Sequence, residues 1–239
     1  MTPVGHCKFF SAVAKLPPSV DLRDPFMPSI WNQGSLGSCT SFAACAAFEY
    51  ACRKQHTTDF TPSQLFLYYN ERMMDGDVYE DAGSTLSTGV RALREYGVCP
   101  LENWPYDISK FTVKPSQPAY DVATKHEVLG VSQVHATVLS IKGALAKGYP
   151  VILGLDIYSS FESDNVTKTG MIPEPHKHSE ELLGGHAICL VGYDDEKKTF
   201  ILRNSWGDDW GVKGYGFLPY AYIEKDHLAS DPWIITCVE

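Results

Sequence analysis

Asn32-Gln33-Gly34-Ser35-Leu36-Gly37-Ser38-Cys39 runs directly into Thr40-Ser41-Phe42-Ala43-Ala44-Cys45-Ala46-Ala47-Phe48. The first block is rich in Gly and Ser, the chemistry of a turn. The second is nearly continuously apolar and dominated by alanine, the best helix former. Residues 38–54 therefore read as a helix buried on every side. Cys39 stands at its N-terminus, where unpaired N–H groups and the helix dipole favour an anion, so a thiol there is biased toward thiolate.

Outward from that helix the chain changes character once. Residues 1–16 read as a short arm, and Leu16-Pro17-Pro18-Ser19 as an extended entry, because proline disfavours helix in the residue before it. Thr61-Pro62-Ser63-Gln64 predicts a helix start with Thr61 as cap and Pro62 in the first turn. A further helix is expected from Gly83-Ser84-Thr85 to Tyr96-Gly97, and another over 138–147. Beyond that, Val151–Ile157, His186–Tyr193, Thr199–Asn204, Gly214–Leu218 and Trp233–Val238 read as strands. Helices first and strands later predict an α+β fold. Residues 158–185 read as a long irregular loop, of a length more often functional than idle.

The bulk numbers exclude several classes. The 239 residues suit one large domain or two lobes sharing a core. A formal charge of −9, from 20 basic and 29 acidic residues, argues against a nucleic-acid partner. No apolar run approaches the ~20 residues of a membrane span, so no membrane partner is expected. Residues 1–16 lack a long apolar core and an evident cleavage site, so no secretory signal is expected. A cytoplasmic location is compatible, as is export by another route. Seven cysteines leave at least one unpaired in a monomer, and few or no disulfides are expected. No Cys-x-x-Cys pair or His-x-x-x-His ladder is present, so neither a metal nor another cofactor is expected.

Two downstream blocks complete a candidate reaction site with Cys39: Gly184-Gly185-His186-Ala187-Ile188 and Arg203-Asn204-Ser205-Trp206-Gly207. A thiolate attacks a peptide carbonyl readily where a thiol does not. His186 as imidazolium would pair with the thiolate and then protonate the leaving amine. Asn204 would accept a hydrogen bond from the other ring nitrogen and orient it, with Trp206 as an apolar cover. The Cys39 N–H and the Gln33 side-chain amide would hold the oxyanion. Each feature alone has a plainer explanation, such as a core cysteine or a structural histidine. Their joint order and spacing carry the argument.

That joint pattern resembles the papain-like cysteine peptidases. The family's run around its nucleophile, Cys-Gly-Ser/Ala-Cys-Trp/Tyr, here reads Leu36-Gly37-Ser38-Cys39-Thr40. His186 lies 147 residues beyond Cys39 and Asn204 lies 165 beyond. Gln33 precedes Cys39 by six, the separation of the family's oxyanion glutamine. Asn204-Ser205-Trp206-Gly207-Asp208-Asp209-Trp210-Gly211, trailed by Gly214-Tyr215, looks like the family's Asn-Ser-Trp-Gly block, and Val20-Asp21-Leu22-Arg23 resembles the start of a mature enzyme.

The resemblance implies a two-lobed fold: a helical lobe over about 30–130 and a β-barrel-like lobe over about 131–239 plus 17–29. It implies a cleft between them for a peptide or protein substrate, with Gly83, Gly185 and Trp206 as substrate-binding residues. Leu36 replaces a cysteine that usually forms a disulfide, and Thr40 replaces an aromatic, which should loosen packing there. Three further ideas are expectations: residues 1–16 as an inhibitory arm over the cleft, Cys7 as a redox latch on Cys39, and His176 with His178 binding a substrate C-terminal carboxylate. Rival readings are a non-catalytic or self-inhibited peptide-binding module of the same fold, and an acyl transferase using the same three residues.

Overall fold

The computed structural model describes residues 15–224 and 228–239. In chain order, strand β1 (Ser19–Asp21) precedes helices α1 (Cys39–Gln55), α2 (Gln64–Asp75), α3 (Leu86–Glu95) and α4 (Gln117–Ala123). Strand β2 (Val128–Gln133), helix α5 (Val138–Ala146), strand β3 (Val151–Tyr158) and helix α6 (Asp164–Thr169) come next. The chain closes with β4 (Leu182–Asp194), β5 (Thr199–Arg203), β6 (Tyr215–Pro219), α7 (Ala221–Glu224) and β7 (Ala229–Val238). The Cys7 latch and nearly all of the proposed arm lie outside the described residues.

Helix α1 is buried along Thr40–Cys52, on every face, as an all-round apolar segment must be. It packs on β4 and β7 on one side and on α2 and α3 on the other. The cap of α2 differs from expectation. Ser63, not Thr61, accepts from the Phe66 N–H at 3.2 Å. Pro62 is held in an antiparallel bridge with Pro100, and the helix starts two residues later. For α3, Thr85 caps through Thr88 N at 3.1 Å, and Gly97 lies just past the helix at φ +65°.

The strands form one antiparallel sheet in the order β2-β7-β3-β4-β5-β6, with β1 also paired to β4. This corrects the barrel-like expectation: the sheet is open. The outer edge of β6 is occupied by the incoming chain at 170–172, since Phe217 N donates to Gly170 O at 2.7 Å and Ile172 N to Phe217 O at 3.2 Å. That contact covers the edge of β6 at Phe217.

Side-chain alternation divides the core. Ile152, Ala187, Cys189 and Val191 face the helices. Val151, Leu153, Ile188 and Leu190 face a second core with Ile141, Leu145, Phe200 and Tyr222. A sheet buried on both faces reads as continuous apolar runs rather than alternation.

The expected irregular loop at 158–185 contains a 3₁₀ turn at Ser159–Glu162 and α6. Ser163 caps α6 through Val166 N at 3.3 Å, and Gly170 ends it at φ +68°. One and a half turns are too short to show helical periodicity in sequence.

Among the described residues the cysteines at 39, 45, 52, 99, 189 and 237 are free thiols. No group of three or more His, Cys, Asp or Glu among them is placed to hold a metal ion. No described helix is long and apolar enough to cross a membrane.

Candidate active site

Strand β4 runs past the start of α1 and brings Ala187, the residue after His186, to Cys39. The Ala187 N–H donates to the Cys39 sulfur at 3.4 Å. Cys39 is half-buried and His186 is 5 % exposed, which separates a reachable thiol from a shielded ring. Asn204 sits one residue beyond β5, its N–H held by Gly214 O at 3.0 Å. His186 Nε2 lies 2.8 Å from Asn204 Oδ1. An oxygen acceptor there makes Nε2 the protonated nitrogen and leaves Nδ1 as the other ring nitrogen. The Ser205 N–H donates to the same Oδ1 at 2.8 Å, which fixes the orientation of the amide.

The Trp206 ring stacks on the His186 ring, centroids 4.7 Å apart and planes 29° from parallel. Phe161 meets both edge-on, at 6.1 Å from His186 and 5.6 Å from Trp206, and stacks on Trp210 at 5.9 Å. The imidazole thus lies in an aromatic box that keeps water from its bond to Asn204. Each such ring contact contributes about 0.5–1.5 kcal/mol beyond burial.

The segment before the nucleophile is paired to the segment after Asn204. Gln33 N donates to Ser205 O at 2.9 Å and Gly207 N to Trp31 O at 3.1 Å. This pairing brings the Gln33 side chain to the site. Its Oε1 accepts from Ser205 Oγ at 2.6 Å, and its Nε2 donates one hydrogen to Leu36 O at 2.9 Å. A primary amide carries two N–H bonds, so one donor remains. Tyr106 Oη donates to Gln33 O at 2.8 Å and meets Ser38 Oγ at 2.7 Å, pinning the loop at both ends.

Burial opposes each charge taken singly. It pushes the Cys39 thiol above its ordinary value, with N–H donors and a negative Glu71 acting more weakly in opposite senses. It pushes His186 down to about 4, against its hydrogen bond to Asn204, which favours the charged ring.

Gly83 stands at φ +72°, its N–H given to Tyr68 Oη at 3.1 Å. A Cβ placed on Gly185 would meet open space. His176 and His178 are exposed in a turn where Glu180 accepts from the His176 N–H at 2.7 Å.

Thr40, expected to leave packing loose, is 4 % exposed and donates to Glu71 Oε2 at 2.6 Å. Sequence reasoning did not single out Glu71 or Tyr106, and it gave Ser205 no role beyond its place in the Asn204 block. Only the fold brings them together, and their sequence separations carry no signal.

The sequence matches the family described as papain family cysteine protease over residues 16–230, and the chain belongs to that family. It is thus a cysteine protease of papain type, with an α+β fold. Among its relatives, a peptidase C1-like protein of Acanthamoeba polyphaga mimivirus is 41 % identical over 246 residues, covering 95 % of this chain and 79 % of the viral protein. Xylellain, a cysteine protease from Xylella fastidiosa, superposes with a TM-score of 0.87 at 38 % identity, covering 94 % of this chain and 88 % of xylellain. The bromelain protease from Ananas comosus shares the fold with a TM-score of 0.69 at 22 % identity, over 91 % of this chain and 98 % of bromelain.

Proposed function

We propose that Cys39 is the nucleophile, His186 the acid and base, Asn204 the group that orients the ring, and Gln33 with the Cys39 N–H the oxyanion donors. One observation carries the reading. The strand that gives Ala187 N–H to the Cys39 sulfur also presents His186, with Nε2 at 2.8 Å from Asn204 Oδ1.

His186 takes the thiol proton, and the sulfur forms a bond to the scissile carbonyl carbon. The carbonyl electron pair moves to oxygen, where the free hydrogen of Gln33 Nε2 and the Cys39 N–H stabilise it. Collapse breaks the C–N bond as His186 gives its proton to the leaving amine. A thioester on Cys39 remains. Water then attacks, His186 takes its proton, and the thiol leaves with that proton restored. Gly83, Gly185 and Trp206 line the substrate path in this reading, with the N–H of Gly83 already engaged by Tyr68.

Hydrolysis of a peptide library under reducing conditions, run beside Cys39→Ala, tests it. The parent is expected to cleave and the variant to lose at least about 10³-fold in kcat. Equal turnover by the two would overturn the assignment. Amine acceptors added to the same assay separate water from another acyl acceptor.

A further inference from the structure

Three segments that flank the candidate site meet on one carboxylate. Both oxygens of Asp81 accept from the Gly37 N–H, at 3.1 and 3.0 Å. Tyr68 Oη, from α2, donates to Asp81 Oδ1. That same Tyr68 oxygen accepts from the Gly83 N–H at 3.1 Å. Burial, and then the Asp81 carboxylate, push the Tyr68 phenol up, so it stays a donor across the working pH range.

Gly37 lies between the two oxyanion donors in sequence, after Gln33 and before Cys39. It stands next to Leu36, whose carbonyl takes a hydrogen from Gln33 Nε2 at 2.9 Å. The approach is close: a Cβ on Gly37 would come within 3.0 Å of Asp81 Oδ1. Tyr106 and Ser205 hold this loop from inside, while Asp81 holds it from outside. Through Tyr68, Asp81 also fixes the spacing between the loop and Gly83.

We propose that Asp81 is a positioning residue for the oxyanion site: its carboxylate clamps the Gly37 backbone and, through Tyr68, ties the loop at 33–39 to the wall at Gly83. The proposal rests on the assignment of Cys39 as nucleophile. An α-helix start and a glycine-rich loop are insufficient to fix a donor within the few tenths of an ångström that catalysis requires, and a charged acceptor on the loop's N–H supplies that constraint.

The test compares the parent with Asp81→Ala, Asp81→Asn and Tyr68→Phe in three assays. These are hydrolysis of a fluorogenic peptide amide, inhibition by a peptide aldehyde, and alkylation of Cys39 by iodoacetamide. The first two form a tetrahedral oxyanion, whereas the third is a displacement at carbon that forms none. Asp81→Ala is expected to lower kcat and weaken aldehyde binding by about tenfold, while alkylation stays within about twofold of the parent. Asp81→Asn keeps an acceptor oxygen for Gly37 and recovers part of the loss. Tyr68→Phe leaves the Gly37 bonds in place, unties Gly83, and is expected to raise KM more than it lowers kcat.

Retention of kcat and aldehyde affinity within about twofold in both Asp81 variants would overturn the clamp. So would a parallel fall in alkylation, which would mark a general loss of structure; Asp81→Asn covers the case in which Asp81→Ala does not fold. A parent that neither hydrolyses the amide nor alkylates at Cys39 would overturn the Cys39 assignment instead, a result distinct from either.

Discussion

At Gln33 two neighbours leave a single donor. Its oxygen is taken by Ser205 Oγ and one amide hydrogen by Leu36 O, so the remaining N–H has only one direction to point. In the proposed oxyanion role, such a donor would act on the charge that develops in the transition state and contribute little to ground-state binding. Gln33→Ala is therefore expected to lower kcat by about 10²–10³ with KM little changed, measured on a peptide amide. A loss confined to KM would show that Gln33 binds substrate rather than the oxyanion. The residue scale is also where sequence reading reaches furthest. Cys39, His186, Asn204 and Gln33 belong to compact blocks whose local spacing carries information. Their partners are different. Thr40 meets Glu71 across 31 residues of chain, Gly37 meets Asp81 across 44, and Gln33 meets Ser205 across 172; Ser205 and Asp81 stand beside Asn204 and Gly83 in sequence, but nothing local shows what any of the three will meet.

At the scale of elements, the long segments are legible in the sequence and the short ones are not. Helix α1 and strands β3 and β4 announce themselves by runs of buried residues. Strand β2 does not, because Gly130 interrupts it and its pairing with β7 shifts register on either side of that glycine. Helix α4 is 7 residues long, with Pro118 in its first turn, and offers no periodicity. What covers β6 at Phe217 is a contact between distant parts of the chain. Gly97 shows how tightly the end of α3 is joined to α4. It stands at φ +65°, and a Cβ there would collide with the carbonyl oxygen of Ala123 at the end of α4. Gly97→Ala combines a left-handed backbone with a clash against main chain. It is expected to cost more than about 1 kcal/mol in urea unfolding. An unchanged midpoint would mean that α3 and α4 move apart freely.

For the whole molecule, two acids taken out of water make stability fall with rising pH, while the buried His186 ring, pushed down to about 4, acts in the opposite sense up to its ordinary value of 6.5. Burial pushes Glu71 up to about 8, and its Oε1 has no hydrogen-bond partner. Burial likewise pushes Glu49 up to about 7, outweighing the Arg53 guanidinium 2.5 Å away. Both groups hold a proton in the folded chain at a pH where the unfolded chain has lost it. Their contribution is full below the ordinary carboxylate value of 4.5 and is lost as pH rises through about 7 and about 8. The melting temperature should therefore fall between pH 6.5 and pH 9, above the range in which His186 acts, and Glu71→Gln, which mimics the neutral acid, should flatten that fall. An unchanged fall in the variant would show that Glu71 is ionised in the fold. Glu71 also bears on Cys39: its ionised form raises the thiol, less than burial does.

The coupling of Cys39 to His186 is the claim on which the chemistry depends, and the pH profile of iodoacetamide alkylation reads it directly. With the pair intact, the sulfur gains its charge by handing a proton to the ring, so the parent should alkylate at Cys39 at pH 6. With His186→Ala the thiol is left alone in a buried site, above its ordinary value of 9.0, and alkylation should require alkaline pH. Superimposable profiles for the parent and His186→Ala would contradict the account.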